Sequence, residues 1–259
     1  MSNVHVNLIY IRVIMLESFK ENMSVVVFGA SGGIGSAAID HLIEDPRVEI
    51  IHAVSRSAKN FDHDKVKSYQ ANLKDEASIK KVAEEIKSQG APDVVFVATG
   101  ILHDGDLQPE KALRDMNSKS FGAVFAVNCF GPAFVMKHFL PLLPRDDKTV
   151  FAAISARVGS ISDNHLGGWY AYRASKAALN MLIKNAAIEL ARKNKNACVI
   201  GLHPGTVNTN LSEPFQGHVP ENKLFSPEYS AERLLKVIDE VDSSQTGLTF
   251  AYDGEVIPF

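Results

Sequence analysis

The sequence of 259 residues predicts an α/β fold: one doubly wound parallel sheet of about seven strands, in three layers with helices on both faces. Three observations carry the prediction. Short runs rich in Val, Ile, Phe and Ala alternate with amphipathic helical patterns through the whole chain. The runs are nearly continuous in apolar residues, as strands covered on both faces are. No repeat, low-complexity tract or linker divides the chain, so the strand–helix units join one sheet through right-handed crossovers.

In chain order, the segment 4–16 comes first. It is apolar but interrupted by Asn7 and Arg12, too short to span a bilayer, and followed by no small-residue cleavage site, which disfavours a signal peptide. Met23 directly precedes the first strong strand, 24–28, so the expected domain is 23–259, with 1–22 a peripheral leader. A glycine-rich turn, 29–35, leads into a helix over 36–43. Strands follow at 50–54 and, more weakly, at 66–70. Ile79, Val82, Ala83 and Ile86 repeat at i, i+3, i+4, i+7, one face of a helix that Gly90 ends. The next strands are 94–98 and 150–154, with an apolar run over 121–143 between them that fits either core or a subunit interface. A helix is expected over 173–192 and a strand over 198–202. The last helix opens at Ser226 and Pro227, an N-cap followed by proline at the first helical position, and carries Ala231, Leu234, Leu235 and Ile238 on one face. The strand 248–252 closes the sheet.

Composition narrows the function. A formal charge of −3 and a pI near 6.3 leave no electrostatic footprint for nucleic acid. No stretch reaches the ~20 apolar residues of a membrane span. Cys129 and Cys198 both sit in apolar runs and read as buried free thiols, which places the chain in a reducing, cytoplasmic compartment. The nine histidines are scattered without zinc spacing, so no metal site is expected.

Ligands of such sheets bind beyond the carboxyl ends of the strands. There the first strand is followed by Gly29-Ala30-Ser31-Gly32-Gly33-Ile34-Gly35 and a helix. The glycines let the backbone approach a phosphate, and the helix N-terminus offers free N–H groups and a positive dipole end. This is a Rossmann-type dinucleotide cradle, with Gly29, Ser31, Gly32, Gly33, Ile34 and Gly35 around the pyrophosphate and Ser31 donating to phosphate. No lysine follows to make a P-loop. The second strand ends without the carboxylate that accepts from the ribose of NAD; Arg56 stands there instead and suits a 2′-phosphate. NADP(H) is therefore expected as the preferred cofactor, with NAD(H) possible.

Further on, Tyr172 and Lys176 are i, i+4 neighbours on one helix face. A nearby ammonium lowers a tyrosine pKa, and a tyrosine so tuned exchanges a proton with a carbonyl or alcohol. The glycine loop, Tyr172, Lys176 and Pro204-Gly205 together resemble the short-chain dehydrogenase/reductase family over 24–259. The stretch from Ser155 to Asn180 is similar to the C-factor and sniffer-like carbonyl reductase branch. The resemblance implies that Tyr172 is the general acid/base, that Lys176 binds the nicotinamide ribose and tunes Tyr172, and that Asn128 holds a relay water. It places Pro204, Gly205, Val207 and Thr209 beside the nicotinamide, Asn72 and Leu73 on the adenine side, and Thr99 and Gly100 in the turn lining the cofactor. It implies a homodimer or homotetramer formed through the helices of Asn128 and Tyr172.

Three positions depart from the family pattern. The family serine that polarises the substrate carbonyl aligns with Ala156. Ser155 is one residue early and serves only if the strand end bulges; Ser160 is the other candidate. The asparagine-rich turn after the fourth strand is reduced to Gly100, with Thr99 offering a hydroxyl. The adenine-side aspartate is Asn72. The expected function is NADP(H)-dependent oxidoreduction of a small, mainly apolar carbonyl or alcohol, in a pocket walled by the segment after Ile154, by 162–169 and by a lid loop, 210–225, carrying Phe215 and Leu224. Ala156 keeps open a second expectation, a cofactor-binding signalling or sensor protein with little turnover; a Rossmann epimerase is a weak third.

Overall fold

A computed structural model describes residues 16–259. The central sheet has seven parallel strands, β1 (Met23–Phe28), β2 (Val48–Ser55), β3 (Val66–Gln70), β4 (Val94–Val97), β5 (Thr149–Ile154), β6 (Ala197–His203) and β9 (Thr249–Ala251). Their order is β3-β2-β1-β4-β5-β6-β9. Each expected run became a strand because its residues alternate between two dry faces. Val25 and Val27 join one core layer, Val26 and Phe28 the other, and all four are at most 2% exposed. Helices α1 (Gly33–Glu44) and α6 (Pro227–Glu240) cover the first face; α2 (Glu76–Lys87), α4 (Gly131–Phe139) and α5 (Tyr170–Ala191) cover the second. Phe28 meets Phe139 edge-on at 5.3 Å, locking sheet to helix.

The sheet order reverses between β1 and β4, so the crevice above their carboxyl ends is the topological switch point. The Ser226 hydroxyl accepts from the Tyr229 N–H ahead of α6, as its sequence indicates. A short pair, β7 (Thr206–Val207) and β8 (Leu224–Phe225), ties together the ends of the expected lid. Leu224 is consumed by this pairing and does not line the pocket.

Two expectations are corrected. The expected peripheral leader spans 1–22; residues 1–15 lie outside the described part, but 16–22 are packed against the domain. Leu16 and Phe19 are buried, the Leu16 N–H donates to Asp45 Oδ2 at 2.8 Å, and Lys20 pairs with Asp93 at 2.9 Å. Two apolar side chains that fill the α1–α6 layer belong to the core, whatever their distance from the first strand. The second correction concerns length and hydropathy: Ser118–Leu142, 25 residues, does pass as a membrane span on those grounds alone. Half of its apolar window is buried within the fold, and it is broken into α3 (Ser118–Phe125), a π-helical segment (Ala126–Phe130) and α4.

Candidate active site

The cradle begins at Gly29, which leaves β1 at φ 84°. Its N–H donates to the Val54 carbonyl at 2.9 Å, and a Cβ there would collide with the Ala98 carbonyl. Gly35 is equally constrained, since its Cβ would strike the Gly29 carbonyl. These glycines let the loop fold onto itself and hold α1 against the end of β1. The N-cap of α1, Gly32, supplies no side-chain acceptor, so the first N–H groups of the helix stay available for an anion. A Cβ on Gly33 would come within 2.8 Å of Thr209 Cγ2, which brings the segment after β6 against the loop after β1.

Two connected cavities occupy the switch point. The first, about 580 Å³, is lined by Gly29, Ser31, Gly32, Arg56, Asn72, Leu73, Thr99 and Gly100. The second, about 740 Å³, is lined by Gly33, Ile34, Thr99, Gly100, Tyr172, Lys176, Pro204, Gly205, Val207 and Thr209. Ser31, Thr99 and Gly100 border both, so the two form one groove. Of the expected cofactor residues only Gly35 stays behind the wall, shaping the loop. The groove suits a dinucleotide by its own geometry. The Thr99 hydroxyl is buried beside the cradle with no partner among the described residues, an arrangement that calls for a ligand acceptor or donor.

Tyr172 and Lys176 face the second cavity from the first turns of α5. Lys176 is 1% exposed and its Nζ donates to the Ile154 carbonyl at 2.7 Å. It lies 5.8 Å from the centre of the Tyr172 ring. Burial pushes the Tyr172 hydroxyl up to about 12 and the Lys176 ammonium down to about 7. The expected lowering of the tyrosine by the lysine is absent here, and desolvation, which disfavours both charged forms, sets both directions. Asn128 is fully buried in the π-helical segment. Its amide clamps the backbone of Ile101, accepting from the N–H at 2.8 Å and donating to the carbonyl at 2.8 Å, and it donates to Ser175 Oγ at 3.2 Å. With its side chain so committed, Asn128 braces the turn after β4 and offers no side-chain group to the groove. Segments of π-helix recur at functional sites because they redirect a few side chains or carbonyls within a rigid helix.

The serine question has a structural answer. Ser155 borders the second cavity, but its hydroxyl is engaged: it donates to Asn180 Oδ1 on α5 at 2.6 Å. No bulge intervenes, and the period of two along the strand sends Ser155 and Ala156 in different directions. A catalytic role of Ser155 requires its hydroxyl to leave Asn180. Ser160 is no substitute, because its Oγ accepts from the Asp163 N–H at 3.1 Å outside the cavity. The serine position presents the methyl group of Ala156.

The remaining walls are aromatic. Trp169 meets Tyr172 edge-on at 6.2 Å and Phe215 at 5.1 Å, and Phe215 meets His103 at 5.7 Å. Of the expected wall 162–169 only Trp169 reaches the cavity. His203, at the end of β6, also lines it; its Nδ1 is buried with no partner among the described residues, and burial lowers the imidazole to about 4, so it is neutral. Arg56, exposed at the rim, has a guanidinium with no hydrogen bond among the described residues. Among the described residues, no three His, Cys, Asp or Glu side chains gather to hold a metal.

Comparison with known proteins agrees with this geometry. Residues 23–219 match the family described as short chain dehydrogenase. The chain is 31% identical over 181 residues to 1-hydroxy-2-glutathionyl-2-methyl-3-butene dehydrogenase of a Rhodococcus species, covering 68% of this chain and 73% of that one. It is 33% identical over 148 residues to the C-signal of Myxococcus xanthus, covering 57% of this chain and 84% of the relative. The NADPH-bound carbonyl reductase from chicken fatty liver superimposes with a TM-score of 0.80 at 24% identity, over 93% of this chain and 96% of that structure.

Proposed function

The chain belongs to the short-chain dehydrogenase family, whose members are NAD(P)-dependent oxidoreductases, and from that premise we propose that it reduces a small carbonyl compound with NADPH, Tyr172 acting as general acid. The observation that carries this is the shared cavity: Tyr172 and Lys176 open into the same space as the glycine loop and the Pro204–Thr209 segment. Bound in the groove, the cofactor would supply the hydride. The chain's own residues bind, orient and protonate.

The cradle at 29–35 and the N-terminus of α1 hold the pyrophosphate, and Arg56 pairs with the 2′-phosphate. Thr99, with its unpartnered hydroxyl, and Pro204, Gly205, Val207 and Thr209 bracket the nicotinamide half. Tyr172, protonated at neutral pH, donates to the oxygen of the reduced substrate. Lys176 holds the ribose and restores the Tyr172 proton, while Asn128 fixes the turn that closes the groove over both. The aromatic wall and the Ala156 methyl select an apolar substrate. The π-helical segment of Asn128 with α4, and the helix α5, form the subunit contact of a homodimer or homotetramer in the cytoplasm; Phe130 at the end of the π-helical segment and Met181 on α5 project 50% and 61% exposed.

Ala156 favours a second reading, a cofactor-binding sensor with little turnover, because one donor to the developing oxyanion is missing. Turnover of a carbonyl panel with NADPH, in the native protein and in Tyr172→Phe, decides between them. A reductase loses its rate with the tyrosine; a sensor binds NADPH and shows no Tyr172-dependent rate.

A further inference from the structure

The start of α5 is held from outside the helix. Trp169, its N-cap, sits in the left-handed region at φ 49° and ψ 46°, and its side chain makes no capping hydrogen bond. Gly167 and Gly168 before it are left-handed too, both at φ 64°. Glycine adopts that conformation freely, but tryptophan does so only where its surroundings over-determine it.

The surroundings that do so come from the segment after β4. The Glu110 carbonyl accepts from the Trp169 N–H at 2.6 Å, and Glu110 Oε2 accepts from the Ala171 N–H at 3.1 Å. Glu110 is 4% exposed. Its own segment is tied down, since Asp115 Oδ2 accepts from the N–H groups of Lys111 and Ala112 at 3.2 and 2.9 Å. The carboxylate therefore does from a distant loop what an N-cap side chain does locally: it satisfies an orphan N–H and faces the positive end of the helix dipole. Ala171 is followed directly by Tyr172, and the Trp169 ring packs against the Tyr172 ring. Glu110 borders neither cavity, so it acts only through the helix.

We infer that Glu110 is a positioning residue, whose buried carboxylate fixes the first turn of α5 and thereby the aim of the Tyr172 hydroxyl and the Trp169 wall. The inference rests on the proposed role of Tyr172, and the sole tryptophan of the sequence allows the two to be tested apart. The emission of Trp169 reports its setting whether or not the protein turns over. In the full chain, Glu110→Ala and Glu110→Asp, which remove or shorten the acceptor, lower kcat by about ten- to a hundredfold, the scale of a misplaced catalytic group. KM for NADPH is unchanged in both, and Trp169 emission shifts to the red. Glu110→Gln keeps an acceptor oxygen without the charge and restores emission and most of kcat. Should Glu110→Ala fail to fold, the aspartate and glutamine variants carry the comparison. Native emission and kcat in Glu110→Asp overturn the inference, as does a glutamine variant no better than alanine. A native protein with no Tyr172-dependent rate overturns the functional proposal, whereas an unshifted emission in Glu110→Asp overturns this one.

Discussion

Serine at position 156 is expected to raise the rate of carbonyl reduction. Ala156 lines the cavity with Tyr172, is 7% exposed, and has an extended backbone, φ −162° and ψ 148°, that any residue adopts. A hydroxyl there meets no backbone strain and faces the space in which the substrate oxygen would sit. An ordinary hydrogen bond made only in the transition state contributes about 1.4 kcal/mol, or tenfold in rate. A donor preorganised in a dry site contributes about 10²–10³. The gain in kcat with NADPH and an apolar ketone should therefore lie between those limits, with KM for NADPH unaltered. Burying one hydroxyl costs about 1–3 kcal/mol if it finds no partner, so a thermal melt belongs beside the kinetics. A folded Ala156→Ser protein with kcat at or below the native value refutes the reasoning, because it means another group already serves the oxyanion.

Other consequences are equally direct. Arg56→Ala lowers the preference for NADP(H) over NAD(H) by about ten- to a hundredfold, the worth of one or two charge-assisted hydrogen bonds of roughly 1.5–3 kcal/mol in all; an unchanged ratio of kcat/KM values removes Arg56 from the cofactor site. A chain starting at Met23 loses the buried Leu16 and Phe19 side chains, about 3–6 kcal/mol of burial, and unfolds at lower urea than one starting at Met15; equal midpoints show the packed segment to be dispensable. Lys176 is held at about 7 in the folded chain, below its ordinary value. Between that value and its unfolded pKa of about 10.4 the unfolded chain binds the extra proton, so this group makes stability rise with pH across the window and lowers it below pH 7. Lys176→Met flattens that rise in urea melts from pH 7 to 9.5, and parallel curves for the two proteins contradict it.

The parts of this molecule that were legible in the sequence are those whose causes are local. Val25–Val27 and Phe151–Ala153 announce buried strands because both faces of a parallel sheet need apolar side chains. Ser226 and Pro227 announce α6 because capping acts within one turn. The cradle at 29–35 is legible because the turn it makes requires its own glycines. The commitments that define the site were not legible, because their partners are remote in sequence. Ser155 is taken by Asn180, 25 residues on, and the helix of Tyr172 is capped by Glu110, 61 residues before Ala171. Nothing near Glu110 marks it as a cap, and nothing near Ser155 shows that its hydroxyl is spent. Burial hides from the sequence as well: Tyr172 and Lys176 at i, i+4 imply a coupled pair, yet how far each is desolvated depends on the turn after β4 and on the segment 210–219, both remote in sequence.

That desolvation has a consequence for binding. At pH 8 a lysine held near 7 is about nine-tenths neutral. The proposed chemistry needs it charged, and the groove it borders is where the hydroxyls and phosphates of a dinucleotide are proposed to lie. Acceptors and negative charge within a few ångströms favour the ammonium and raise its pKa. If the pKa returns to its ordinary range, cofactor binding at pH 8 takes up about 0.9 proton. Titration calorimetry with NADPH in phosphate and in Tris separates the intrinsic heat from the heat of buffer ionisation, and the difference measures the uptake. The uptake should vanish in Lys176→Met and shrink toward pH 6, where the lysine is already charged. Identical heats in the two buffers at pH 8 mean that Lys176 is charged before the cofactor arrives, and that the Ile154 carbonyl and the turn around Asn128 are enough to hold the charge.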